Sequence, residues 1–222
     1  MGRRKIKVRV FKFTNCNDCQ AEILKQKKKF SELKNTLDFK FEPEKIEKVD
    51  IAFVQGSISK EQEIERLEKI RKNSRYLITL GSCSLFESAI SRISGKKIIA
   101  SNPVVKYVKV DYALRGCPII GSEFFEVIKN FVAGKIKRDP EIPVCRECKA
   151  RNLPCLIKNG KFCAGPITYA GCKAICLKNN APCIGCRGIM RDANLKSWVK
   201  KMRENGFEKE ALKILEIFNR KP

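Results

Sequence analysis

Cys145, Cys148, Cys155, Cys163, Cys172, Cys176, Cys183 and Cys186 place eight thiols between Val144 and Gly188. Thiols at that density serve one of three chemistries: disulfide bonds, zinc ligation or iron–sulfur clusters. The choice turns on the redox compartment and on four further cysteines, Cys16, Cys19, Cys83 and Cys117, scattered through the chain ahead of that segment.

The opening residues MGRRKIKVRVFKF alternate Ile6, Val8 and Val10 with Lys5, Lys7 and Arg9. That pattern reads as a strand and not as the apolar core of an export signal, so the Arg3-Arg4 pair is not expected to direct export. No apolar run reaches the roughly 18 residues that span a bilayer. A soluble, cytoplasmic protein is therefore expected, and a reducing compartment argues against disulfides.

The first 140 residues alternate strand and helix signals. VRVFKF precedes a helical stretch from Gln20 to Leu33, VDIAFVQGS precedes Glu61 to Lys72, RYLITLGSC leads into a short helical turn, and YVKVDYALRGCP precedes Glu123 to Phe131. This order predicts an α/β fold with a parallel sheet and helices on its faces. DIAFV and YLITL read as strands buried on both sides. The two prolines of GKIKRDPEIP, Gly134 to Pro143, mark a domain boundary. The cysteine-rich segment beyond it is expected to be loop-rich and ordered by its ligands, with amphipathic helices near Ala193 to Glu204 and Glu208 to Phe218 closing the chain.

Cys16, Cys19, Cys83 and Cys117 all follow strand ends. In an open parallel sheet those ends share one edge, where ligand sites form, so four thiols distant in sequence converge there. Gly81 and Gly116 let backbone approach an inorganic core, and Pro118 fixes the exit from Cys117. Twelve cysteines then divide into three sets of four. Zinc accepts four thiolates as readily, but its structural sites draw on close pairs in short ribbons, whereas more than sixty residues separate Cys19 from Cys83. The spacing favours iron–sulfur clusters and leaves zinc as the minor alternative.

Cys16-x-x-Cys19, Gly81-x-Cys83 and Gly116-Cys117-Pro118 on an alternating α/β domain resemble the small, electron-transfer subunit of NiFe hydrogenases and its relative in respiratory complex I. The resemblance covers about residues 1 to 190. It implies three parts: 1–140, a flavodoxin-like domain with the proximal 4Fe-4S cluster; 141–190, a small ferredoxin-like domain with two clusters; and 191–222, C-terminal helices. It implies Cys16, Cys19, Cys83 and Cys117 as proximal ligands, Cys145, Cys148, Cys155 and Cys163 as distal ligands, and Cys172, Cys176, Cys183 and Cys186 as medial ligands, each set holding a 4Fe-4S cluster. Cys145 stands where many hydrogenases carry histidine, and Cys176 lies near the proline that leaves some of them a three-iron centre. The all-cysteine pattern is most similar to cytoplasmic archaeal hydrogenases, including the viologen-reducing type.

The implied partners are a large catalytic subunit carrying the NiFe centre and a further electron-accepting flavin or iron–sulfur subunit. No catalytic residue is implied in this chain. Three positions depart from the family's habit: Gln55 replaces glutamate, Glu87-Ser88 replaces a glycine pair, and Ile119 replaces a second proline. They keep a relay serving a different catalytic subunit as the alternative.

The formal charge of +23, from 47 basic against 24 acidic residues, raises a rival from another class, a zinc-bearing nucleic-acid binder. One Trp, four Tyr and lysines spread over every element do not make its stacking surface, so no nucleic-acid partner is expected.

Overall fold

The computed structural model describes residues 4–86, 101–135 and 141–222. These form two compact units, the first from 4–86 and 101–135, the second from 141–222.

The first unit is built on five parallel strands: β1 (Ile6–Lys12), β2 (Leu37–Phe41), β3 (Val49–Gln55), β4 (Ser74–Leu80) and β5 (Tyr112–Leu114), in the order β2-β1-β3-β4-β5. That is the flavodoxin-like order, with its switch point between β1 and β3. The intervening helices are α1 (Asp18–Leu24), α2 (Lys27–Leu33), α3 (Glu61–Lys72), α4 (Cys83–Phe86) and α5 (Gly121–Val132).

Both faces of the sheet are covered. On one, Val8, Val10, Phe53 and Ile78 pack against Ile23 of α1 and Phe124 and Phe125 of α5; on the other, Phe11, Ala52, Val54 and Leu77 pack against Leu67 and Ile70 of α3. This two-sided burial explains the unbroken apolar runs of β3 and β4. Phe124 sits at the centre of an aromatic cluster, 4.5 Å from Phe53 and 5.2 Å from Phe125 between ring centroids.

Three local features differ from the sequence expectation. The stretch from Gln20 to Leu33 is two helices, broken where the start of α5 presses on α1: a Cβ on Gly121 would lie 2.2 Å from the Glu22 carbonyl oxygen. β2 is an addition, because LDFKF is a short edge strand that alternates apolar with charged residues. Of YVKVDYALRGCP only Tyr112–Leu114 is strand; Tyr107, Val108 and Val110 instead seal the second core cluster.

Arg9 lies in β1 at 1% exposure, although alternation suggests a wetted face for it. Its guanidinium reaches Asp38 at 2.8 Å and Glu47 at 2.7 Å. Burial opposes its charge, but the hydrogen bonds and charges of the two carboxylates outweigh that and raise its pKa. Bonds from Lys7 and Arg9 in turn hold Glu47 down at about 2.

The second unit contains α6 (Val144–Ala150), α7 (Ile175–Lys178), α8 (Leu195–Glu204) and α9 (Glu208–Ile217). Among the described residues its only β pairings are the bridges Pro143–Tyr169 and Thr168–Ile189. Leu195, Trp198, Met202, Ile214 and Leu215 of the two closing helices share one core with Ala164, Ile167 and Ile189. The closing helices thus roof the cysteine-rich segment.

Candidate metal centres

Cys16, Cys19, Cys83 and Cys117 converge as expected. All four line one small pocket at the carboxyl edge of the sheet, together with Gln55, Gly81 and Gly116. Two amides shape its rim. Asn15 donates to the Phe13 carbonyl at 2.6 Å, while its Oδ1 accepts from the Asn17 amide at 2.6 Å and from Gln55 Nε2 at 2.8 Å. These bonds tie the loop holding Cys16 to the end of β3.

Gly56 allows that approach, since a Cβ there would lie 2.6 Å from the Thr14 carbonyl oxygen. Gln55 Oε1 is buried with no donor among the described residues. Of the three departures, Gln55 and Ile119 border this site; Glu87-Ser88 lies outside the described residues.

Glycine lets the backbone pass close to these sulfurs. A Cβ on Gly81, whose φ is +83°, would stand 2.7 Å from Cys19 Sγ. Among the described residues, no three cysteine, aspartate or glutamate side chains close around a point as a single ion requires; the thiols stand instead on the cavity walls. Burial, with like-charge repulsion from Cys83 and Cys16, pushes Cys19 up to about 12. Such a thiol is neutral until a metal takes its proton's place.

In the second unit, Cys145, Cys148, Cys155 and Cys163 form one electrostatic neighbourhood. Burial raises Cys145 to about 11, and repulsion from Cys163, Cys155 and Cys148 adds to it. Cys145 and Cys148 sit on α6, while the Cys163 backbone is pinned by Trp198 Nε1 of α8, which donates to its carbonyl at 3.0 Å. The Gly165 amide donates to Cys163 Sγ at 3.4 Å. A Cβ on Gly165 would fall 3.2 Å from that sulfur and 3.6 Å from Cys145 Sγ, so glycine here lets the backbone lie against both thiols.

Cys172, Cys183 and Cys186 make a third neighbourhood. Burial raises Cys172 to about 11, helped by Glu147 and Cys186. Cys183 is driven well above the usual thiol range by burial, then by Cys163 and Cys186. It therefore adjoins both sets, and its carbonyl accepts from the Ala164 amide at 2.8 Å. Cys176 lies one turn beyond Cys172, on α7.

A clasp that the sequence did not reveal joins these two sets. Glu147, between Cys145 and Cys148, accepts from the Gly171 amide at 2.9 Å and the Ala174 amide at 3.2 Å, and lies 3.7 Å from Cys172 Sγ. It thereby holds a turn in which Lys173 and Ala174 both take positive φ. Arg187, buried at 2% exposure, lies beneath the same turn, where a Cβ on Gly171 would collide with its guanidinium at 2.3 Å.

A flavodoxin-like sheet with four thiols gathered at its carboxyl edge, followed by eight more in a loop-rich unit, defines an iron–sulfur electron-transfer subunit of an oxidoreductase. Residues 16–131 match the family described as NADH ubiquinone oxidoreductase, 20 Kd subunit, and the chain belongs to it. Its relatives include hydrogenase subunits. Sulfhydrogenase 2 subunit delta of Pyrococcus furiosus is 33% identical across 97% of this chain and 100% of its own length. A second relative, from the F420-non-reducing hydrogenase of Methanothermobacter thermautotrophicus, is 23% identical across 83% of this chain and 79% of its own. In fold, the chain is similar to a chain of the actinobacterial-type NiFe-hydrogenase from Ralstonia eutropha, with TM-score 0.61 and 13% identity over 98% of this chain and 92% of that one. It is also similar to a chain of the Ni-Fe-Se hydrogenase from Desulfomicrobium baculatum, with TM-score 0.59 and 16% identity over 83% and 94%. Among the described residues, no helix is long and apolar enough to cross a membrane.

Proposed function

We propose that this chain relays electrons through three 4Fe-4S clusters between the NiFe site of a large hydrogenase subunit and an external acceptor or companion subunit in the cytoplasm. A bound cluster supplies reversible one-electron storage. Cys16, Cys19, Cys83 and Cys117 would hold the proximal one, Cys172, Cys176, Cys183 and Cys186 the medial one, and Cys145, Cys148, Cys155 and Cys163 the distal one. The chain's own residues fix the thiols, exclude water and set the local charge.

The observation that carries this reading is the convergence of four thiols, from the ends of β1, β4 and β5, on a single cavity. Exposure supports the order of the sets. Cys16 and Cys155 are the two exposed thiols, one in each outer set, whereas no member of the Cys172 set is exposed. A relay needs an accessible group at each end and a shielded one between.

Purification from the native cell tests the assignment of partners. The expected result is a companion large subunit bringing nickel with it; a stable companion without nickel would favour a relay serving a different catalytic subunit.

A further inference from the structure

From Cys148 to Arg191 the chain has no Asp or Glu but eight Lys and Arg residues. Two bound four-iron clusters with their thiolates would contribute about four negative charges, so half of that cationic charge stays uncompensated. Its distribution is uneven. Lys149, Arg151, Lys158 and Lys161 are all exposed and fall within a few residues of Cys155, itself exposed. Among the described residues none of the four has an ion-pair partner.

The neighbouring element does not cancel this charge. The turn after α8 meets the same loop, with Asn205 donating to the Ile157 carbonyl at 2.9 Å. Its acids are already engaged: Glu204 pairs with Lys201 at 2.9 Å and Glu208 with Arg203 at 2.5 Å. Glu147, the nearest acid upstream, is held by the Gly171–Ala174 turn. The loop at Cys16 is different in kind, flanked by Asn15, Asn17 and Asp18. The two exposed thiols thus face chemically different surroundings.

We infer that the surface formed by Lys149, Arg151, Lys158 and Lys161 around Cys155 docks a small, net-acidic one-electron carrier protein. The inference rests on the relay proposed above and names the partner at its outer end. Cys145, Cys148, Cys155 and Cys163 would hold the iron–sulfur group that gives one electron to the docked carrier, a transfer that would oxidise that group by one and reduce the carrier by one with no bond made or broken. Unpaired cations around a redox group speed the encounter with an acidic partner, typically by about 10- to 1000-fold, and that gain fades as salt shortens the screening length to about 3 Å at 1 M. Such contacts are small and polar, so a rim of lysines suffices without an apolar patch.

The test uses the natively purified complex carrying Lys158→Glu with Lys161→Glu, and Lys209→Glu with Lys213→Glu on α9 as a control of equal charge. The probe is a strongly acidic two-cluster ferredoxin, with a basic cytochrome as counter-probe. At low salt, ferredoxin binding and its KM are expected to worsen by about tenfold or more in the first variant, with kcat and dye reduction little changed. The difference should shrink at high salt, the α9 control should match wild type, and the cytochrome should gain in the first variant.

Equal losses with dye and ferredoxin, a salt-independent loss, or no loss would overturn the inference. So would protection of Lys158 and Lys161 from acetylation in the native complex, which would show a permanent subunit covering them. Loss of single-stranded RNA binding with ferredoxin binding intact would overturn it in favour of a nucleic-acid surface. Iron content and the electron paramagnetic resonance spectrum are read on every sample, so failure of the relay itself appears as missing clusters and is distinguished from failure of docking.

Discussion

Replacing Cys148 by alanine is expected to cut dye reduction by the assembled complex at least ~100-fold, the upper end of what losing a mere outer-shell partner of a metal ligand costs. Hydrogen-isotope exchange at the partner's metal site should persist. Cys148 is buried on α6 and belongs to the set that ends in exposed Cys155, so its loss strikes the outer end and leaves the first set of thiols untouched. Cys19→Ala strikes the other end: Cys19 is buried in α1 against the shared cavity. Dye reduction is expected to fall as far, and isotope exchange to be less well preserved. Dye reduction at the wild-type rate by an intact complex of either variant would contradict the linear relay and the assignment of its ends.

The second large effect is expected from removing iron. Stripping the chain with a chelator under reducing conditions should open residues 141–190 while the sheet of the first unit stays folded. Between Val144 and Gly188 the regular structure amounts to α6 of seven residues, a three-residue 3-10 turn at Gly165–Ile167 and α7 of four, and helices below about 12 residues are marginal alone. The small apolar cluster of Val144, Leu156, Leu177 and their neighbours includes Cys148, Cys163 and Cys183, so the ligands are themselves part of the packing. Metal ligation in small domains supplies about 10–16 kcal/mol at neutral pH in the zinc-finger case, enough to decide whether such a segment folds. Limited proteolysis of stripped protein should cut between Gly134 and Met190 and leave an N-terminal fragment. A protease-resistant second unit would show that the α8–α9 roof suffices without iron.

The convergence of the first four thiols was legible, because β1, β4 and β5 end where cysteine follows and a parallel sheet puts those ends on one edge. The buried strands were legible for a related reason: DIAFV and YLITL are apolar on both faces because helices cover both. Arg9 was misleading on the same ground. Alternation with Val8 and Val10 implies a wetted face, yet a sheet covered on both sides has none, and Asp38 and Glu47 make the buried guanidinium tolerable. β2 stayed hidden because its Asp38 and Lys40 dilute the strand signal at an edge that meets only β1. The Glu147 clasp could not be read, since its partners are backbone amides 24 and 27 residues away, and nothing in local spacing announces them.

The central claim, that three sets of four cysteines each hold a four-iron cluster, is tested most directly by counting iron and acid-labile sulfide in anaerobically purified protein. The account predicts about twelve of each per chain. Stoichiometric zinc without iron or sulfide would contradict it.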